Sequence, residues 1–422
     1  MRFLSVPSMR LSRETRDTLW LMGLQGVNYL APLLVWPYLM VVLEAEQFGV
    51  FSFGIALAQY LMMLVDFGFN LTATKQIALA RGDAQETNRI FSATMASKML
   101  LLAVSAGVVF VISLLPVFTA YRPVLWIVWL MVLGNAFSML WLFQGAGKIR
   151  LAAIINAVMK LLILPFTFVF VHTPGDVQLA AWIQVAVYIG SGVVMMILTY
   201  ALRLARYVRI KRSDVYAQLR GSWSIFLSHA ATSTYTALFV VISAYFVSAE
   251  EVGCYAAAEK MMRCVCYFVW LPLSQAFFPK VSRLGASDKT EGQRLVQRLT
   301  FVVALVLGVA GVLLALGAEP VNQWLGKDYA GIGRLTSVLA IVPVLVGVGG
   351  MQGQMGLIAL GGESENTAFR NVYLTAGLIA LVAVCILSWQ FGIIGTAWAL
   401  VVTEGFVCLS MCALRKRRWR II

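Results

Sequence analysis

Apolar stretches of about 20 residues recur along this chain, separated by short polar or charged breaks. As a helix rising 1.5 Å per residue, a stretch of about that length crosses a hydrocarbon core about 30 Å thick. This recurrence limits the possible folds more than any other feature. Twelve stretches are read, at 19–43, 48–70, 97–116, 123–145, 151–172, 178–202, 223–247, 252–278, 299–318, 335–360, 368–389 and 392–413. In lipid, backbone polar groups are satisfied only in helices or closed barrels. Stretches of this length predict an all-α integral membrane protein with twelve transmembrane helices. Composition agrees, because 60% of the residues are hydrophobic and only 12% are charged. A soluble globule so composed would leave large apolar patches in water. The first stretch is not a signal peptide: it is too long, carries Pro32 and Pro37, and has no small-residue cleavage site behind it.

The net charge of +14, from 33 Lys and Arg against 19 Asp and Glu, raises the question of a nucleic-acid partner. Placing each cation on the twelve-span scheme answers it. With both termini inside, 27 cations lie in the inner segments, Lys98 among them; 3 lie in outer loops (Arg122, Lys327, Arg334) and 3 within spans. Cytoplasmic loops carry such an excess of Lys and Arg. The charge is therefore read as a cytoplasmic collar that sets topology and faces anionic lipid headgroups, with no nucleic acid involved. No loop reaches domain size, so function must reside in the helix bundle. The expected organisation is a cytoplasmic N-terminus (1–18), a six-helix lobe (19–202), a basic cytoplasmic linker (203–222), a second six-helix lobe (223–413) and a basic cytoplasmic C-terminus (414–422).

An internal echo fits six spans plus six. Ala45-Glu46-Gln47-Phe48-Gly49-Val50-Phe51 and Ala249-Glu250-Glu251-Val252-Gly253-Cys254-Tyr255 stand at an offset of 204. Ala181-Trp182 against Ala397-Trp398, and Asn156 against Asn371, stand at offsets of 215–216. Because six is even, the lobes share one orientation, a parallel repeat about an axis along the membrane normal, as in secondary transporters. Two such lobes enclose a central cavity that can open to either side.

Charges inside a membrane are costly and mark function or pairing. Apart from Lys98 and Arg370 at span ends, six fall within spans: Asp66, Lys160, Glu259, Lys260, Arg263 and Glu404. Glu259 and Arg263, at i,i+4, can bridge each other. Two readings stand open: Lys160 pairs with Asp66 or Glu404 to lock helices, or the cations line a wet cavity and meet an anionic substrate. Span one offers Gln25, Asn28 and Tyr29 before Pro32 and Pro37, which permit a bend suited to a gate or only a static kink. Gly349 and Gly353 form a GxxxG pattern expected to allow close helix packing.

Several chemistries lack their residues. His172 and His229 are too few and too far apart for a His-based metal site. The six Cys lack a CxxC spacing and are read as packing residues. No Walker loop and no G-x-S-x-G occurs. No cofactor, ATPase activity or enzymatic activity is expected.

Some motifs carry a family resemblance. Gln25-Gly26-Val27-Asn28-Tyr29, Pro32, Pro37-Tyr38, Phe48-Gly49-Val50-Phe51 and Phe67-Gly68-Phe69-Asn70-Leu71-Thr72-Ala73-Thr74 occur in that order. Trp141-Leu142-Phe143-Gln144-Gly145, Ala256-Ala257-Ala258-Glu259-Lys260 with Pro272, Gln275-Ala276 and Pro279, and Thr403-Glu404 follow. The set resembles the bacterial polysaccharide-export flippases of the Wzx (O-antigen transporter) type. That resemblance implies a V-shaped, twelve-helix fold akin to multidrug-and-toxin exporters, in the bacterial inner membrane. It also implies transport of an undecaprenyl-diphosphate-linked oligosaccharide from the cytoplasmic to the periplasmic leaflet, and association with polysaccharide polymerase machinery. Family members often carry an Arg after P-Y-L, where this chain reads Met40-Val41-Val42. More of the anion binding then falls to Lys160, Lys260 and Arg263. Asn28, Tyr29, Gln59, Asn70 and Gln144 are the candidates to bond sugar hydroxyls. Asp66, Glu259 and Glu404 are the candidates to couple transport to H⁺ or Na⁺, and Pro32 and Pro37 are the candidate gate. The remaining readings are a drug or cation antiporter of the same fold and a membrane-embedded glycan polymerase or acyltransferase.

Overall fold

The computed structural model describes residues 13–325, 329 and 331–419, with side chains described from Leu34 onward except at 235, 271, 321, 322, 324, 418 and 419. All regular structure among the described residues is helical. The first half of the chain forms α1 (Arg13–Asp66), α2 (Phe69–Leu79), α3 (Ala84–Leu114), α4 (Arg122–Ala136), α5 (Leu140–Gly145), α6 (Ile149–Leu161), α7 (Ile163–Phe170) and α8 (Val177–Ala201). The second half forms α9 (Arg212–Thr236), α10 (Leu238–Ser243), α11 (Ala249–Ser287), α12 (Lys289–Leu316), α13 (Ala318–Leu325), α14 (Ile332–Leu339), α15 (Val342–Gly350) and α16 (Glu363–Trp419). A π-helical segment, Met351–Ala359, follows α15.

Nine helical stretches among the described residues are long and apolar enough to cross a membrane. Two of them, Leu34–Leu79 with 46 residues and Glu363–Arg417 with 55, exceed the roughly 20 residues one crossing needs. Each is interrupted where the sequence puts a turn, at Glu44 (φ 57°, ψ 174°) and at Gly392 (φ 60°, ψ −142°). The expected span 223–247 is not among the nine, because α9 carries Ser222, Ser224, Ser228, His229, Thr232, Ser233, Thr234 and Thr236. Several of these hydroxyls donate to the carbonyl one turn earlier: Ser228 to Ser224, Thr232 to Ser228, Thr234 to Ala230 and Thr236 to Thr232. Such back-bonding satisfies a hydroxyl within its own helix. Most of the first expected span precedes the described side chains.

The two echoing turns meet each other. Gly49 of α1 lies against Ala249 and Gly253 of α11, and Gly253 lies against Ala45 and Gly49. A Cβ on either glycine would overlap the backbone of the opposite helix. The offset of 204 thus corresponds to a reciprocal exchange of contacts between the two halves. Ala45, Phe48, Ala256, Ala257 and Ala258 are fully buried beside this crossing. Small residues are what let membrane helices approach so closely. Tyr329 Oη donates to the Met40 carbonyl at 2.8 Å and ties a second part of the latter half to α1. Tyr38 Oη donates to the Val171 carbonyl at 2.6 Å. Within the first half, Gly134 of α4 and Gly192 of α8 form a similar close approach: an added Cβ would stand 2.6 Å from the facing backbone at either position.

Overpacking a close crossing costs about 1–3 kcal/mol. Gly253→Val is therefore expected to lower the melting temperature of the purified protein. Gly405→Ala should not, since an added Cβ there meets nothing within 4 Å. Melting of Gly253→Val with wild type would contradict the crossing.

Candidate functional site

The site begins where α1 stops. Phe67 (φ 44°) and Gly68 (φ 83°) leave helical geometry in succession, and glycine meets the second requirement without steric cost. Phe67 stacks on Phe226 of α9 at 4.3 Å between centroids, and Ile225 fills the space beside Gly68. Beside this turn lies a cavity of about 370 Å³. Its wall takes Gln59 and Asp66 from α1, Asn70 from α2, Asn135 from α4 and Lys160 from α6. Asn156, Tyr188, Ser191 and His229 complete its polar lining, with Met62, Met63 and Met159 among its apolar residues.

The charges in this wall are unequally matched. Asp66 accepts from Lys98 Nζ at 2.9 Å and from Asn135 Nδ2 at 3.2 Å. Lys98 is fully buried, so it belongs to the bundle and not to the cytoplasmic collar in which the sequence reading counted it. The cause is the early start of α3 at Ala84, capped by Asp83, whose side chain accepts from the N–H groups of Gln85 and Glu86. Lys98 therefore sits about 21 Å along that helix at 1.5 Å per residue. Asp66 does not pair with Lys160. Lys160 has no carboxylate within ion-pair distance among the described residues. Ser191 Oγ donates to Asn156 Oδ1 at 2.6 Å.

The second group of charges lies on α11. Arg263 is bridged to Glu259, with Nη2 to Oε1 at 2.7 Å and Nε donating at 2.9 Å, the contact their i,i+4 spacing allows. Lys260 has a different environment. Its Nζ lies 4.1 Å from the Trp36 ring centroid and 5.9 Å from that of Phe48, both on α1. An aromatic face attracts a cation without cancelling its charge. Glu404 of α16 is buried.

Of the residues singled out from the sequence, the cavity gathers Gln59, Asp66, Asn70 and Lys160. Gln144 is exposed on α5 and is not part of that wall. The side chains of Asn28, Tyr29 and Pro32 lie outside the described residues. Pro37 sits within continuous helix, and the break in α1 falls at Glu44 rather than at either proline. The sequence reading missed Lys98, Asn135, Asn156, Tyr188, Ser191 and His229. The Asp83 cap was the signal available for Lys98; isolated Asn and Ser residues in apolar runs gave none. Two motifs turn out to pack on each other. Thr74 Oγ1 donates to the Trp141 carbonyl at 3.1 Å, and Gly145 lets α5 approach Ile77 and Thr74 of α2. Trp141 is buried and stacks on Phe91.

Removing one partner of a buried ion pair costs about 3–5 kcal/mol. Lys98→Met should destabilise the protein by roughly 3 kcal/mol, and Lys98→Met combined with Asp66→Asn should recover most of that loss. Denaturant unfolding of the three proteins checks this; equal loss in the single and double variants would contradict the pairing.

Known proteins resemble this chain in sequence and in architecture. Two curated relatives carry the name "Putative O-antigen transporter". The one from Escherichia coli (strain K12) is 29% identical over 94% of this chain and 95% of its own length. The one from Shigella dysenteriae is 28% identical over 94% of this chain and 98% of its own. Among solved structures, the lipid II flippase MurJ in an inward closed conformation superposes with a TM-score of 0.71 at 11% identity, over 94% of this chain and 87% of that one. An inward-facing multidrug resistance MATE family transporter of the MOP superfamily gives 0.61 at 14% identity, over 92% of this chain and 99% of that one. At these identities the two structures establish the fold, that of flippases and exporters. The sequence profile of the polysaccharide biosynthesis protein family matches residues 15–285, and the chain belongs to that family of multi-pass membrane proteins, its named relatives being transporters rather than enzymes.

Proposed function

We propose that this protein flips an undecaprenyl-diphosphate-linked oligosaccharide, an O-antigen or similar repeat unit, from the cytoplasmic to the periplasmic leaflet of the bacterial inner membrane by ion-coupled alternating access. The observation that carries this reading is the unmatched cation in the amide-lined cavity: Lys160 has no carboxylate partner among the described residues, beside Gln59, Asn70, Asn135 and Asn156. A diphosphate cannot cross hydrocarbon unaided, and a cation in a low-dielectric cavity attracts it strongly. The amides offer both donors and acceptors to sugar hydroxyls. Lys260, set on Trp36, supplies a second unmatched cation from the other half. The lipid tail stays in the bilayer. The Gly49–Gly253 crossing is a close contact between the two halves, and rocking about it would change the open side. Asp66 is already held by Lys98 and Glu259 by Arg263, so neither stands free to bind a transported cation. Glu404, near Arg263, is the favoured coupling group, with H⁺ or Na⁺ as the ion.

Lys160→Gln and Lys260→Gln should each reduce surface glycan at least tenfold in a strain deleted for its own flippase, at unchanged membrane levels of the protein; tenfold corresponds to about 1.4 kcal/mol. Normal export by both variants would remove the cationic-cavity reading. Glu404→Gln should flatten the dependence of transport on external pH. An unaltered pH profile would exclude Glu404 as the proton-coupling group.

A further inference from the structure

The segment joining the two halves is a fixed strap, and the cations it presents outward form no ion pair among the described residues. Residues 204–211 run without regular structure from α8 to α9. The Arg206 N–H donates to Asn88 Oδ1 at 2.7 Å, and the Val208 N–H donates to Ser92 Oγ at 2.8 Å. The Lys211 N–H donates to Asp214 Oδ2 at 3.0 Å. The start of α9 then divides into two faces. One is occupied by protein: Asp214 meets Arg89 at 3.2 Å, Gln218 donates to Gln76 at 2.7 Å, and Ser222 meets Thr72 at 2.6 Å. The other carries Arg212, Tyr216, Arg220, Trp223 and Leu227 at spacings of 4, 4, 3 and 4, which is one helix face, and all five are exposed.

We propose that this face, with Arg209 and Lys211 of the strap, binds the headgroups of anionic phospholipids in the leaflet beside it. Arg209, Lys211, Arg212 and Arg220 form no ion pair among the described residues. Asp214, the acid closest in sequence, is turned to the opposite face and held by Arg89 and the Lys211 N–H. Tyr216 and Trp223 are 65% and 55% exposed, and Leu227 continues the stripe toward apolar helix. Cations interleaved with amphipathic aromatics and giving way to aliphatic surface match the passage from headgroups into acyl chains. A nucleic acid or an acidic protein would match the cations but not Trp223 and Leu227. The face is also distinct from the cavity wall, to which α9 contributes His229. Because the strap is the covalent joint between the halves and is stapled to α3, a headgroup bound there steadies the joint.

This inference rests on the membrane-spanning reading of the bundle but not on the transported substrate, and the test reads lipid binding without transport. Full-length protein is reconstituted in nanodiscs of phosphatidylcholine with phosphatidylglycerol, extracted gently, and the lipid retained per protein is read by mass spectrometry. The wild type should retain phosphatidylglycerol several-fold over phosphatidylcholine. The R209Q/K211Q/R212Q/R220Q variant should lose that preference, and R209K/K211R/R212K/R220K should keep it. Should the neutral variant fail to fold, wild type alone decides: its preference should collapse as salt shortens the Debye length to about 3 Å, near 1 M. No preference in wild type, or an unchanged preference in a folded neutral variant or at high salt, overturns the proposal. So does equimolar displacement of phosphatidylglycerol by a polyprenyl diphosphate, which would assign the face to substrate capture.

Discussion

Everything else in the bundle is arranged around the place where α1 crosses α11. Two helices can bring their backbones into contact only if neither carries a side chain at the crossing, and Gly49 and Gly253 meet that condition from both sides. The reciprocal contacts to Ala249 and Ala45 make the crossing nearly symmetric. In lipid there is no hydrophobic drive between helices, so close van der Waals packing of this kind has to hold the two halves together. The crossing lies just after the break at Glu44, and the stretch of α1 beyond it lines a cavity with Gln59 and Asp66.

The same low dielectric that forbids stray charge makes the disposition of each charge informative. Asp66 with Lys98, and Glu259 with Arg263, are matched within the protein; the first pair ties α3 to α1, and the second neutralises itself along α11. Lys160 and Lys260 are not matched in this way. One stands among amides and the other over an aromatic ring. A cation left without a counter-charge inside a membrane protein is costly unless an anion visits it. Water and amides can keep such a cation solvated between visits, and the one carboxylate in the described cavity wall, Asp66, is already taken by Lys98.

The all-helical membrane class and the family were legible in the sequence, because stretch length and motif order survive without knowledge of packing. The two echoing turns were legible as an echo, and the structure shows their purpose: each glycine makes room for the other's helix. The break at Glu44 fell where a turn was read, although the prolines seven and twelve residues earlier had been given the bend. What could not be read was partnership. Asp66 and Lys98 are 32 positions apart, and only the fold brings them to 2.9 Å. The Lys98 error followed from starting span three at 97, when the Asp83 cap starts the helix at Ala84. Gln144 belongs to a motif that packs α5 on α2, so its place in that motif did not carry it to the cavity. Asn135, Asn156 and Ser191 were not assigned to a cavity, because a single small polar residue in an apolar helix has no periodic signature, and Asn156 was read only as part of the echo.

Lys160 and Lys260, unmatched by any carboxylate among the described residues, are proposed to carry a lipid-linked diphosphate across the membrane. The most direct measurement is translocation of a fluorescent undecaprenyl-diphosphate sugar in liposomes holding the purified protein, with and without an imposed ion gradient. Protein-dependent translocation that is lost in the Lys160→Gln, Lys260→Gln double variant is the expected result. Translocation at the wild-type rate by that double variant, or none by wild type under any gradient, would contradict it.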